Sequence, residues 1–201
     1  MTHCKVSATR LVALVAPLTL RLLAGTAIAA ATDAPVASST AATGTSAQWH
    51  EQTLKFTYDG ITTLYTCDGL EDKVRAILLE FGARKDLKVR ATGCERGVNL
   101  PSHFAWVEAS YNALVPDTGT PGTEPAKGAI KGQWSAIEIA PNRPFFMGAG
   151  ECELIEQMRD ALAKGFTLRN VQYRTSCTPH QISVGGYAVT AEVLKADTHG
   201  E

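Results

Sequence analysis

Residues 67–94 read CDGLEDKVRAILLEFGARKDLKVRATGC, and residues 152–177 read CELIEQMRDALAKGFTLRNVQYRTSC. Each stretch begins and ends on a cysteine, and each changes its hydrophobic period midway. In the first, Leu70, Val74, Ile77, Leu78 and Phe81 recur at i, i+4, i+7, i+8 and i+11, the stripe of an amphipathic helix. Gly82 ends that stripe. Leu87, Val89 and Ala91 then alternate with Lys88, Arg90 and Thr92, as a half-buried strand does. In the second, Leu154, Met158, Ala161 and Leu162 form the stripe, Gly165 stops it, and Leu168 to Thr175 reads as the strand. Asp68 with Glu71 three residues on has the form of a capping box for the first helix.

The cysteine positions follow from these lengths. A 15-residue helix is roughly 22 Å long, and a seven-residue strand roughly 23 Å. A helix and the strand after it run antiparallel, so a cysteine at the helix start meets one at the strand end. This selects Cys67–Cys94 and Cys152–Cys177 from the three possible pairings. Each closes a loop worth about 3 kcal/mol by the chain-entropy argument.

The similarity extends outward. With Arg75 set on Arg159, Leu78 falls on Leu162, Leu87 on Val171, Val89 on Tyr173 and Arg90 on Arg174. Single-residue deletions bring Cys67 onto Cys152 and Cys94 onto Cys177. Alternation at Leu54, Phe56 and Tyr58 predicts a strand before the first helix, and Trp134 to Ala140 one before the second. Phe104 to Tyr111 and Tyr187 to Leu194 supply a final strand to each. The fold class expected is therefore α+β: two tandem β-α-β-β repeats, each with one helix packed on an antiparallel or mixed sheet and one internal disulfide. The first repeat spans 49–115 and the second 133–195. Residues 116–132, rich in Pro and Gly, form a linker, and 196–201 a disordered tail. One six-stranded sheet and two packed halves both fit this pattern.

Residues 1–30 have the layout of a secretory signal peptide: Lys5 and Arg10 without acids, apolar runs at 11–20 and 22–30, and Ala27-Ile28-Ala29 as a small-x-small cleavage site. Arg21 interrupts the apolar run, which counts against a retained membrane anchor. No other apolar run approaches 18 residues, so the mature chain is expected to lack a transmembrane segment. Residues 31–48 are nearly all Ala, Ser and Thr and read as a disordered tether. The chain of 201 residues has net charge −1; without residues 1–30, which hold three bases and no acid, it is −4. No dominant basic field exists, so nucleic acid is not an expected partner. Of five cysteines, four remain after residue 30, an even number that suits two disulfides in an exported chain.

Motifs for chemistry are scarce. There is no C-x-x-C, no G-x-S-x-G, no H-E-x-x-H and no phosphate loop. His50, His103, His180 and His199 show no ligand spacing, so neither metal nor cofactor is expected. Gly148-Ala149-Gly150 reads as a turn into the second helix. Glu108, Glu138 and Glu192 stand between apolar neighbours on strands. Alternation turns them to an open sheet face together with Lys88, Arg90 and Arg174, as a charge ladder or as carboxylates for acid–base work. The loop Pro141 to Met147 is four residues longer than its counterpart. Its Phe145, Phe146 and Met147 either dock a partner or cap the core. Trp49, Trp106 and Trp134 are expected in the core, with stacking on a sugar or peptide ligand as the alternative.

The expected function is a secreted or periplasmic, non-catalytic binding or structural protein. Its partner would be an unidentified protein or a cell-wall component, met through Lys88, Arg90, Arg174 and the Phe145–Met147 loop. A small extracytoplasmic hydrolase using the strand carboxylates, or an inhibitor of an exported enzyme, are the alternatives.

Overall fold

A computed structural model describes residues 44–96, 100–117, 127–178, 181 and 185–197. All lie in the second of the two units into which the chain divides, Ala41–Glu201. The expected signal peptide, most of the tether, residues 118–126 of the linker, and residues 198–201 fall outside the described residues, as do His180 and His199. Among the described residues, six strands and two helices follow one another as β1 (Thr45–Asp59), α1 (Cys67–Glu80), β2 (Lys88–Thr92), β3 (Phe104–Pro116), β4 (Ile130–Ile139), α2 (Cys152–Gly165), β5 (Leu168–Thr175) and β6 (Tyr187–Ala196). The strand ends depart from the expected boundaries. Residues 45–48 of the expected tether open β1, and the expected linker gives Pro116 to β3 and residues 130–132 to β4.

The strands form one six-stranded antiparallel sheet in the order β2-β3-β1-β4-β6-β5. β1 pairs with β3 along 13 residues, from Ala47↔Pro116 to Asp59↔Phe104. By contrast β1 meets β4 through only Thr45↔Gly132, Ser46↔Lys131 and Ala47↔Ile130. Outward from this junction each side has the same succession: first strand, last strand, then the strand that follows the helix.

Both helices cover the same sheet face. Leu70, Val74, Ile77 and Leu78 of α1 and Leu154, Ile155, Met158 and Leu162 of α2 share one core with alternate residues of the strands. These include Leu54 and Tyr58 of β1, Ile137 and Ile139 of β4, and Val189 and Val193 of β6. β3 offers Ala105, Val107, Ala109, Tyr111 and Ala113 to this face. Phe166, just past α2, stacks on Tyr111 with ring centroids 5.0 Å apart and also meets Phe81 at 5.4 Å. A much smaller cluster lies on the opposite face, where Ala47, Leu114 and Leu194 are buried under Trp49, Ile130 and Trp134.

Both expected disulfides are present. Cys67 and Cys152 are the first residues of their helices, and their partners Cys94 and Cys177 lie two residues past β2 and β5. The Cα atoms are 5.2 and 5.9 Å apart. The cap of α1 differs from the expected box. Thr66 is the N-cap, its hydroxyl accepting from the Gly69 amide at 3.1 Å. Glu71 instead reaches over to accept from the Ala91 amide at 2.9 Å, tying the helix to β2. Gly82 takes φ +87°, the left-handed conformation that a helix stop requires. On β5 the register slips between Arg169 and Gln172, with Asn170 at φ +55°. This bulge leaves Val171 half exposed, whereas Leu87, at the corresponding place before β2, is buried.

These positions separate core from surface experimentally. Leu78→Ala should lower unfolding free energy by about 2–5 kcal/mol in urea melts. Trp106→Ala, on the open face, should change it by no more than about 0.5 kcal/mol.

Candidate functional site

The face opposite the helices is built by the register of β1, β2 and β3. Arg90 lies opposite Glu108, which lies opposite Lys55; Thr92 lies opposite Trp106, which lies opposite Thr57. Lys88, Ser110 and Thr53 form the next row. Side chains at these positions must point away from the core, because Val89, Ala91, Val107, Ala109 and Leu54 between them point into it. Lys55, Thr57, Arg90, Thr92, Trp106 and Glu108 line a groove of about 490 Å³. Gly93, at φ +77°, turns the chain out of β2 beside the Trp106 indole.

Trp106 was expected in the core and is instead 70% exposed. The reason is periodicity. Trp106 is two residues from Glu108 on one strand and so shares its face. The other two tryptophans are on this face too, but each is covered. The Arg84 guanidinium lies over Trp49 at 5.7 Å, and that of Arg169 over Trp134 at 4.1 Å. Both also pack on the small apolar cluster at the sheet junction. Phe104, two residues before Trp106, is about half exposed on the same face.

The three strand carboxylates each meet a cation, though not the ones expected. Glu108 pairs with Lys55 at 2.7 Å, Glu138 with Arg143 at 2.9 Å and Glu192 with Arg169 at 2.5 Å. Asn170, brought round by the β5 bulge, also donates to Glu192 at 2.8 Å. Glu138 and Glu192 line a second groove, of about 390 Å³, on the far side of the face from Glu108. A general acid must hold its proton, which favours burial away from cations; these carboxylates are partly exposed beside guanidinium groups.

The expected binding residues are not brought together. Lys88 and Arg90 lie on β2 and Arg174 on β5, the two outer strands, so four strands separate them. All three are exposed. Lys88 and Arg90 have no carboxylate partner among the described residues. The loop residues divide as well. Phe145 is 92% exposed, Phe146 half buried against the core, and Met147 belongs to the core. The loop is tied by its own backbone, with Ala140 and Arg143 exchanging both hydrogen bonds and the Asn142 amide donating to Met147 O at 2.8 Å. Of the described histidines, His103 is held with Nδ1 3.0 Å from Gly60 O, and His50 is exposed on β1. Among the described residues no group of three His, Cys, Asp or Glu is placed to hold a metal.

Sequence reasoning missed a buried polar cluster around the start of α2. Glu153 Oε2 accepts from the Ile61 and Thr62 amides at 2.9 and 3.0 Å. Gln157 exchanges two hydrogen bonds with the Asp59 backbone, at 3.0 and 2.7 Å. Glu151 pairs with Lys73 of α1 at 2.5 Å and accepts from the Gly148 amide at 2.9 Å. Lys73 also donates to Phe146 O. The signal was Glu-Cys-Glu at a helix start, where carboxylates suit the free amides and the helix dipole. Here those carboxylates reach across to other segments instead of capping α2, whose N-cap, Glu151, makes no side-chain capping bond.

All five tyrosines have raised phenol pKa values, chiefly through burial. Tyr111 and Tyr173 are pushed up to about 12. Tyr58, Tyr65 and Tyr187 go higher, with nearby carboxylates adding to burial: Glu153 then Glu151 for Tyr58, and Glu151 for the other two.

Two measurements follow. An unfolded phenol ionises near pH 10, so above about pH 10 the unfolded chain releases protons that the folded chain keeps, and stability falls as pH rises. An alkaline absorbance titration should show phenolate only together with loss of the fold. Lys73→Met strands a buried carboxylate and should cost about 3 kcal/mol; adding Glu151→Gln should restore part of that in the same urea assay.

The two disulfides are compatible with an extracytoplasmic location. Among the described residues no helix is long and apolar enough to cross a membrane. Comparison with protein-family models, with curated proteins and with solved structures found no match for this chain.

Proposed function

We infer that this is a secreted or periplasmic binding protein of the cell envelope or extracellular space, without catalytic activity. Its contact surface on this reading is the open face of β2, β3 and β1. One observation carries it: of three tryptophans on the open face of the sheet, two lie under arginines, while Trp106 projects uncovered beside a groove that it lines. An exposed indole gives up water-facing apolar area on contact and loses little side-chain entropy, so it is the group a binding surface uses as an anchor. Ion pairs between partly exposed groups on a sheet face favour the binding reading over the hydrolase reading. The readings of residues 1–30 as an export signal and of the four cysteines as structural disulfides give the location.

The two β-α-β-β halves fit descent from one duplicated module. The mirrored strand order and the equivalent cysteines support this. The helices differ in placement: α1 lies against β2 of its own half, whereas α2 packs on its own half and lies against β1 of the other as well.

Retention on envelope fractions tests the surface. Trp106→Ala and Arg90→Ala should each reduce retention of the purified chain while leaving its melting temperature unchanged. Arg174→Ala, on the far rim, should not reduce it. Equal retention of all three variants would remove this face from consideration.

A further inference from the structure

We propose that the Trp106 groove binds an acidic polysaccharide, with a pyranose ring stacked on the indole and a ring carboxylate held by Arg90. This rests on the binding reading above and names its ligand class.

The groove has three relevant properties. First, its apolar part is narrow, with Trp106 and Phe104 in a single line along β3. Trp106 projects, yet its row neighbours are Thr92 and Thr57, and the next row holds Arg90, Glu108 and Lys55. A standard protein interface needs about 800 Å² per partner around a desolvated apolar centre, and nothing of that breadth surrounds Trp106. A pyranose presents one C–H-rich face, which suits the negative face of an indole, and a rim of hydroxyls. The Thr57 and Thr92 hydroxyls, the Lys55 ammonium and the Glu108 carboxylate offer both donors and acceptors to such a rim.

Second, the charge balance is local and small. Lys55 is already matched by Glu108. Lys88 and Arg90, two residues apart on the same face of β2, are the uncompensated cations next to the groove. Arg90 sits two residues before Thr92 on the same face, diagonally across from Trp106, so a group bound on the indole and an anion on the guanidinium can belong to one sugar. The planar guanidinium matches a carboxylate through two parallel hydrogen bonds.

Third, a densely charged polyanion does not suit the face. Glu108 stands within the groove, and Glu138 and Glu192 lie further across the same face. A nucleic acid would bring its phosphates over these carboxylates, with Lys88 and Arg90 the cations beside the groove left to offset them. A polysaccharide with one carboxylate per sugar spaces its charges more widely, and Phe104 extends the aromatic row for a second sugar along β3.

Native-gel electrophoresis of the purified mature chain through polygalacturonate gives the test. Retardation is expected in polygalacturonate and not in its methyl ester or in dextran. Trp106→Ala and Arg90→Gln should each weaken it about tenfold, the loss of one charge-assisted or aromatic contact. Arg174→Gln should not. Retardation that survives methyl esterification, or that persists in Trp106→Ala, would overturn the proposal. So would equal retardation in dextran sulfate, which would make the effect simple charge attraction. If no polysaccharide retards the chain while Trp106→Ala still lowers envelope retention, the sugar chemistry is wrong and the binding face stands. If neither readout responds to Trp106→Ala, both fail.

Discussion

The carboxamide of Gln157 closes on the backbone of Asp59 with two hydrogen bonds, and Glu153, one turn earlier, takes the amides of Ile61 and Thr62. Much of the architecture hangs on this clamp. The strands of the two halves meet through three residue pairs only, too short a ladder to orient one half on the other. What spans the join is α2, which packs on β4 and β6 of its own half and also lies against β1. Because the clamp uses backbone groups at the end of β1, it fixes the strand itself rather than a side chain that could rotate. The ion pair of Lys73 with Glu151 repeats the device between α1 and the loop before α2. Buried polar groups of this kind are costly unless matched, and their matching selects one arrangement of the halves from others that would bury similar apolar area.

The open face follows from that constraint. Helices pressed on one side of the sheet demand small residues where they approach closely, and β3 supplies Ala105, Ala109 and Ala113 there. The larger and charged members of β3 are then left on the far side, Trp106 and Glu108 among them. An aromatic ring in water is thus the complement of close helix packing. It stands in a groove rimmed by donors and acceptors.

Much of this was legible in the sequence. Apolar residues at helical spacing from Leu70 to Phe81 and alternation from Leu87 to Ala91 are strong local signals, and cysteines at their ends pinned the two elements together. The single sheet was not legible, since the strands before the helices carry no mark of which neighbour they choose. The start of β1 was hidden because 45–48 is made of small and polar residues, and only its neighbours in β3 and β4 make it a strand. Thr66 and Asp68 are both good caps within three residues, and local sequence does not rank them. Trp106 was misplaced by weighing hydrophobicity above alternation, although Glu108 two residues on had already named its face. The partners of the carboxylates were missed for a related reason. Arg143 lies in a turn five residues from Glu138, and Arg169 reaches Glu192 only through the pairing of β5 with β6. The clamp itself joins residues some ninety positions apart, beyond any periodic signal.

The two rims of the sheet share a property that matters to any chain at high local concentration. At one rim, β2 is five residues long and turns Lys88 and Arg90 outward. At the other, β5 is broken by the kink at Asn170 and turns out Arg169 and Arg174. Neither offers the long, flat, uncharged run of free amides that another strand needs to continue the ladder. Six strands is therefore where the sheet stops growing, and amyloid-like stacking from its margins is discouraged by the charges on both outer strands.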